Sequence, residues 1–331
     1  MNMPILRLNK LSKTFERRSF WNATRPLSYA VRDVSLDLVK GETLALVGES
    51  GSGKSTLGLL TMNLLTASEG SVVFNGKPLE KAGAKDMARF RRTVQIVFQN
   101  PSAAFNPRRT VLATLAQPLL LHGKPSKTQL RARVDELLET VGLTPAAAFR
   151  DVFPHQLSGG QRQRVMIARA LSVDPDFVVA DEPLSSLDVT VQAQILDLLI
   201  RLQRERDIGY LLITHDLALV GEVADRVAVM YRGRVVESGP ATTVCDAPQH
   251  PYTRLLMAST LSADPNERRI GAADTARVFD VPRDDGAGCS FAGRCPLAES
   301  QCKTEVPVLG RSGQPGTEVA CHVIQRRDGD V

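Results

Sequence analysis

The chain has 331 residues, enough for one large domain or two modest ones. Hydrophobic residues make up 43% and charged residues 23%, which excludes a disordered or collagen-like chain. Lys and Arg total 41 against 36 Asp and Glu, a net charge of +5, which permits an anionic ligand without arguing for nucleic acid.

The N-terminal run from Met1 to Phe15 lacks the continuous apolar segment of a signal peptide. No stretch reaches the roughly 18 apolar residues of a membrane span. The richest, Ser55 to Ser68, carries Thr and Asn and is too short. The expectation is a cytoplasmic chain that works at a membrane only by docking to another protein.

Taken in order, Ile5 to Leu8 and Val34 to Leu38 read as short strands, separated by a basic and aromatic insert, Arg17 to Tyr29, that reads as a loop. Thr43 to Val47 (TLALV) is a buried-strand candidate. It enters GESGSGKST, and the following LGLLTMNLL has helical composition. Val94 to Phe98 is another apolar strand. Ser126 and Gln129 have capping-box spacing ahead of a helix whose Leu130, Val134, Leu137, Leu138 and Val141 share one face. Phe177 to Ala180 and Tyr210 to Ile213 are further strands, with a helix between them that carries Ile195, Leu198, Leu199 and Leu202 on one side. Strands alternating with helices predict an α/β fold with a parallel sheet. Beyond about residue 260 the periodicity fades into an Asp-, Gly-, Pro- and Arg-rich appendix, which holds four of the five cysteines.

Gly48-Glu49-Ser50-Gly51-Ser52-Gly53-Lys54-Ser55, followed by Thr56, fits G-x-x-x-x-G-K-[ST] between a strand and a helix. The glycines let backbone N–H groups converge on phosphate oxygens, Lys54 adds a mobile positive charge, and Ser55 can offer its hydroxyl to Mg²⁺. The apolar run Phe177 to Ala180 ends in Asp181-Glu182. A carboxylate at a strand's C-terminal end suits Mg²⁺ and a second acid can polarise water, so Asp181 is the candidate metal-side residue and Glu182 the candidate general base.

Leu157-Ser158-Gly159-Gly160-Gln161, downstream of the phosphate motif and just before the Asp181-Glu182 strand, completes the set. With these motifs the chain resembles the ATP-binding subunits of ABC transporters. The resemblance implies a P-loop NTPase (RecA-like) core with a β-subdomain and an α-helical signature subdomain at about residues 100–170. The cassette would cover residues 1–260, and a Cys-rich C-terminal extension residues 261–331. It further implies that Gln99 approaches Mg²⁺ and the attacking water, that Ser185-Ser186-Leu187-Asp188 is the D-loop, and that His215 contacts the γ-phosphate. Phe15 is the implied adenine-stacking aromatic, with Tyr29 as the alternative. Ser158, Gly159, Gly160, Gln161 and Asp188 would complete the ATP site of a partner subunit, the helix N-terminus facing its γ-phosphate.

Gln99 to Arg108 (QNPSAAFNPR) and His250 to Leu256 (HPYTRLL) resemble segments of the oligopeptide and dipeptide permease ATPases. Both are read as lying outside the ATP chemistry. The insert Arg17 to Pro26, with Trp21, resembles the form that pairs with a second, different ATPase. Cys289, Cys295, Cys302 and Cys321 follow C-x5-C-x6-C-x18-C. That spacing, and the resemblance, imply a [4Fe-4S] cluster with Zn²⁺ as the alternative; His322 is a lesser ligand candidate, and Cys245 reads as a free thiol. The implied function is an ATP-hydrolysing motor subunit of a peptide-type importer, using ATP and Mg²⁺ at the cytoplasmic face of the membrane. Its implied partners are a second ATPase subunit, two transmembrane permease subunits and an extracytoplasmic solute-binding protein, with no nucleic acid. A soluble ABC ATPase of phosphonate metabolism, DNA repair or translation is the alternative. The single cassette and the lack of a long coiled-coil insertion count against the translation and repair types, and the Cys-rich tail and long C-terminus against the phosphonate type.

Overall fold

The computed structural model describes residues 3–15, 28–123, 125–185, 187–258 and 287–329. The insert Arg17 to Pro26 with Trp21, Ser186, and residues 259–286 of the appendix lie outside them. Twelve strands occur among the described residues. The first six are Leu6–Phe15 (β1), Ser28–Leu38 (β2), Thr43–Val47 (β3), Glu69–Phe74 (β4), Lys77–Pro78 (β5) and Val94–Val97 (β6). Phe177–Asp181 (β7), Gly209–Thr214 (β8), Arg226–Tyr231 (β9), Arg234–Pro240 (β10), Gly310–Arg311 (β11) and Glu318–Val319 (β12) follow.

The first sheet, ordered β2-β1-β4-β5, is antiparallel. Its opening strands are longer than the sequence predicts. Leu6 pairs with Leu38 at one end and Phe15 with Ser28 at the other, with Thr14 opposite Tyr29, so Tyr29 belongs to β2 and not to the loop of the insert. Alternating apolar side chains, Leu6 and Leu8 with Val34 and Leu36, give this sheet one buried face. The polar pairing of Arg7 with Asp37 on the exposed side explains why the sequence signal for long strands is weak.

The second sheet is ordered β11-β12-β10-β9-β3-β8-β7-β6, and its β9-β3-β8-β7-β6 portion is parallel as expected. Every residue of β3 and β8 is buried, the mark of strands covered on both faces. Leu44 and Leu46 pack with Leu57, Leu60, Ile213 and the apolar face of the first sheet. Ala45 and Val47, alternating with them, pack on the opposite side with Val229, Val220 and Tyr252.

The helix after β3 covers Lys54–Thr61 and stops short of the predicted Leu65. Asn63, at φ +50°, takes the left-handed conformation that turns the chain out of the helix. The predicted capping box is present: Ser126 Oγ accepts from Gln129 N–H and Gln129 Oε1 accepts from Ser126 N–H, opening the helix Lys127–Thr140. Val134, Leu137, Leu138 and Val141 of that segment are fully buried against Leu115 and Val165 of the helices Val111–His122 and Gly159–Leu171. Each such residue contributes about 1.5–3 kcal/mol, enough to hold a helical layer against β7 and the helix Val189–Arg206 through Val178, Ile195 and Leu199.

The C-terminal segment is built into the cassette's sheet. β12 pairs with β10, Glu237 opposite Val319, and β11 pairs with β12. Among the described residues no helix is long and apolar enough to cross a membrane.

Candidate functional site

β3 delivers the chain into the phosphate-loop sequence at a point where only glycine fits. Gly48 (φ +151°) and Gly53 (φ +105°) both have positive φ, and a Cβ on either would sit 2.1 Å from a backbone oxygen, Met230 O for Gly48 and Ala30 O for Gly53. The loop is therefore seated against β2 and the end of β9. The Gly233 N–H further donates to Ser52 O at 2.8 Å. Lys54 Nζ folds back and donates to Gly48 O (2.7 Å) and Glu49 O (3.0 Å). Burial lowers its pKa, while Glu182, Asp181 and Glu49 pull the other way. Ser52 Oγ is buried with no hydrogen-bond partner. An orphaned hydroxyl, a buried ammonium and a glycine-lined backbone turn make a cradle suited to a polyphosphate.

Ser50 and Gly51 form the exposed tip of this loop. Ser55 and Thr56 begin the helix behind it, and Ser55 Oγ donates to Asp181 Oδ1 at 3.0 Å, across the sheet from β3 to β7. Burial raises the pKa of Asp181, and neighbouring Glu182 adds to the rise; the Ser55 hydroxyl and the Lys54 ammonium oppose it. A hydroxyl and a carboxylate at hydrogen-bond distance are oxygen donors of the kind a hard divalent cation takes.

Glu182 follows Asp181 with φ +43°, uncommon for a non-glycine residue. Its backbone is fixed on both sides: its N–H donates to Ile213 O (2.9 Å), and its carbonyl accepts from Ser185 N–H (3.1 Å) and Ser185 Oγ (2.9 Å). Gln99 Nε2, just past β6, donates to Glu182 Oε2 at 2.6 Å. His215 Nδ1, just past β8, lies 3.5 Å from Glu182 Oε1. Three adjacent parallel strands thus bring Gln99, Glu182 and His215 to one carboxylate at their C-terminal ends, where ligands bind in open α/β sheets.

The remaining candidates lie elsewhere. Ser158 caps the helix Gly159–Leu171, its Oγ accepting from Gln161 N–H while Gln161 Oε1 accepts from Ser158 N–H. Gly159 and Gly160 come close to Leu187 and Val191, so the signature packs on the D-loop and on the helix that Asp188 caps through Val191 N–H. Among the described residues none of the signature's hydrogen bonds reaches the phosphate loop of the same chain. Ser158 and Gly159 are exposed. Phe15 and Tyr29 stand on neighbouring strands, both open to solvent, each with a cation above its ring: Lys13 at 5.4 Å and Arg32 at 4.6 Å.

The permease-like segment at His250, read from the sequence as lying outside the ATP chemistry, touches the phosphate loop. Tyr252 is fully buried on the helix Pro251–Ala258, and its hydroxyl accepts from the phosphate loop's Glu49 N–H at 2.8 Å. Arg294, in the Cys-rich segment, donates to the Glu49 carboxylate through three contacts, each 3.1 Å. The sequence gives no signal for Arg294. For Tyr252 the signal is the HPYT run, whose spacing says nothing about where the phenol ends.

The four C-terminal cysteines are neighbours. Cys289 N–H donates to Cys302 O (2.8 Å). Burial pushes the Cys295 thiol up to about 11 and raises that of Cys289, and Cys302 and Cys321 act on both in the same direction. Among the described residues, however, no group of three or more His, Cys, Asp and Glu side chains is placed to hold a metal ion, so the predicted cluster gains no support from this geometry. His322 is engaged with Glu305 O at 3.0 Å, and Cys245 is a half-buried free thiol packed on the Tyr252 core.

Residues 31–185 match the ABC transporter family, and residues 236–302 match the oligopeptide/dipeptide transporter C-terminal region. The chain is 48% identical over 268 residues to the glutathione import ATP-binding protein GsiA of Salmonella paratyphi A (strain ATCC 9150 / SARB42), covering 80% of this chain but 42% of that protein's length. It is 45% identical over 321 residues to "Putative peptide import ATP-binding protein BAB2_1053" of Brucella abortus (strain 2308), 96% of this chain and 94% of that one. Among solved structures it is similar to a dimeric, post-hydrolysis state of the ATP-binding cassette MJ0796 bound to ADP and Pi. That likeness has a TM-score of 0.63 and 30% identity over 71% of this chain and 98% of that one. With the phosphate loop, the acid pair and the signature in one fold, the chain belongs to the oligopeptide/dipeptide family of ABC transporter ATP-binding subunits.

Proposed function

We propose that this chain is the ATP-hydrolysing motor subunit of an importer for peptides or related small solutes. The observation that carries the reading is the Glu182 carboxylate, held by Gln99 at 2.6 Å beside the Ser55–Asp181 pair and the phosphate loop. Gly48 to Ser55 wrap the triphosphate with backbone N–H groups, and Lys54 reaches its outer phosphates. Ser55, Asp181 and Gln99 would hold Mg²⁺, which would supply positive charge to offset that of the phosphates.

Glu182 accepts the proton of the attacking water as its oxygen bonds to the γ-phosphorus and the bond to the bridging oxygen breaks toward ADP. Gln99 orients that carboxylate, and His215, 3.5 Å from it, contacts the γ-phosphate. Phe15 stacks on the adenine. Ser158, Gly159, Gly160, Gln161 and Asp188 complete the site of a second ATP-binding subunit; the exposed, capped helix N-terminus and the dimeric MJ0796 relative support this. Two transmembrane permease subunits and an extracytoplasmic solute-binding protein complete the system, with this chain peripheral on the cytoplasmic face. Residues 1–260 supply the cassette, and residues 261–331 the Cys-rich C-terminal extension.

Glu182→Gln tests the reading: ATP binding is retained while turnover falls by about 10²–10⁴-fold, and unchanged hydrolysis removes Glu182 as base. The reading extends to Cys289, Cys295, Cys302 and Cys321 as ligands of a [4Fe-4S] cluster or Zn²⁺ on the strength of their C-x5-C-x6-C-x18-C spacing alone, and no step of the ATP cycle runs through that group. Anaerobic purification with assays of iron, sulfide and zinc decides it; absence of all three ends this part of the reading.

A further inference from the structure

Glu49 is the second residue of the phosphate-loop sequence, and it is gripped at both ends by residues from the far end of the chain. Its N–H is taken by the Tyr252 hydroxyl at 2.8 Å, and its carboxylate by the Arg294 guanidinium at 3.1 Å. Its carbonyl in turn accepts from Lys54 Nζ (3.0 Å) and from Ser52 N–H (3.2 Å). Any shift of Glu49 therefore shifts part of the cage that holds the loop lysine.

The grip is itself well supported. Arg294 lies 5.7 Å from the centre of the Phe291 ring. Phe291 is fully buried and meets Tyr231 and Tyr252 edge-on at centroid distances of 5.3 and 5.5 Å. Tyr252, Phe291 and Arg294 thus form one packed unit against β9, with its polar tips on Glu49.

Charge gives the unit a second role. Glu49 places a carboxylate at a loop built for polyanions, close enough to act electrostatically on Lys54. Left uncompensated, it would repel the phosphates that the backbone N–H groups attract. Arg294 pairs with that carboxylate through charge-assisted hydrogen bonds.

We infer that Arg294 and Tyr252 are positioning residues of the nucleotide site: they fix Glu49 and cancel its charge, so that the C-terminal segment sets the ATP affinity of the phosphate loop. The inference rests on the ATP-site reading of Gly48 to Ser55.

The test uses the full-length chain, with ATP affinity from a fluorescent ATP analogue, steady-state hydrolysis, and thermal unfolding as the control for fold. Arg294→Ala weakens ATP binding about three- to tenfold, with kcat at saturating ATP nearly unchanged and a larger loss at low salt. Arg294→Lys, which keeps the charge, recovers most of the affinity. Adding Glu49→Ala to Arg294→Ala relieves the loss, because the repelling carboxylate is gone. Tyr252→Phe, nearly isosteric, leaves the Glu49 N–H unpaired and raises the KM for ATP about threefold or more.

Wild-type affinity in Arg294→Ala overturns the inference. So does a loss of equal size in the presence and absence of Glu49, which marks Arg294 as a general structural brace. Lys54→Ala separates the two readings. If the wild-type chain binds no ATP, or binds it equally well without Lys54, the ATP-site reading fails and the inference with it. If Lys54→Ala abolishes binding and Arg294→Ala does not weaken it, only the inference falls.

Discussion

Gly53, like Gly48, has no room for a side chain, because positive φ and a neighbouring carbonyl both exclude one. Gly51, also at positive φ (+78°), has open space where its Cβ would be. Gly53→Ala is therefore expected to cost more than about 2 kcal/mol and to abolish nucleotide binding, whereas Gly51→Ala costs about 1–2 kcal/mol from backbone strain alone. Urea unfolding of the two variants checks the order. Asp181 carries a pH signature. Its folded pKa is raised, mainly by burial, so the native state holds a proton more tightly than the unfolded chain. Its contribution to stability accordingly falls as pH rises through that range, while Mg²⁺ needs the ionised form. The apparent Mg²⁺ affinity, read from metal-dependent turnover, should weaken as pH drops through the raised value, and Asp181→Asn should bind the metal poorly at every pH.

The capped helices show what a local sequence signal can settle. Ser158 and Gln161 close a reciprocal pair of hydrogen bonds within four residues, as Ser126 and Gln129 do, and the Ser126 pair is legible from spacing alone. Ser158→Ala should lower stability by about 1 kcal/mol through the lost cap; a much larger loss of turnover than of stability would separate the γ-phosphate role from the capping role. The turn into the helix Pro251–Ala258 is less legible. Glu237, fully buried in β10, accepts from Gln249 N–H (2.7 Å) and His250 N–H (2.9 Å), and His250 Nδ1 accepts from Tyr252 N–H (3.0 Å). Burial holds the His250 imidazole down at about 3. With a folded pKa below its unfolded value of about 6.5, it contributes stability that is complete above that value and is lost as pH falls toward about 3. His250→Gln should flatten the acid limb of a stability–pH curve by up to one proton relative to the wild-type chain. Burial of Glu237 raises its pKa and acts in the opposite direction in both proteins, so the difference between the two curves isolates the histidine.

At the scale of the whole molecule, the C-terminal segment joins the cassette through its strands and through its buried Phe291. β12 extends the sheet along β10, with Ala320 N–H donating to Val236 O at 2.8 Å, and Phe291 inserts between Tyr231, Tyr252 and His250. Phe291→Ala should cost about 3–5 kcal/mol and weaken ATP binding with it; calorimetry and nucleotide titration on one sample check both. The phosphate loop, the Asp181-Glu182 strand end, the signature cap and the apolar stripes of β3, β7 and β8 were determined by the sequence itself. Each depends on residues within a few positions of one another, where backbone geometry leaves little choice. Tertiary structure decided the rest. The strand order β3-β8-β7-β6 brings Gln99, Glu182 and His215 to one carboxylate. Arg294 meets Glu49 from 245 residues away, a pairing the sequence leaves open because 41 cations and 36 acids offer many equal partners, and only the packing of Phe291 against Tyr231 and Tyr252 selects this one.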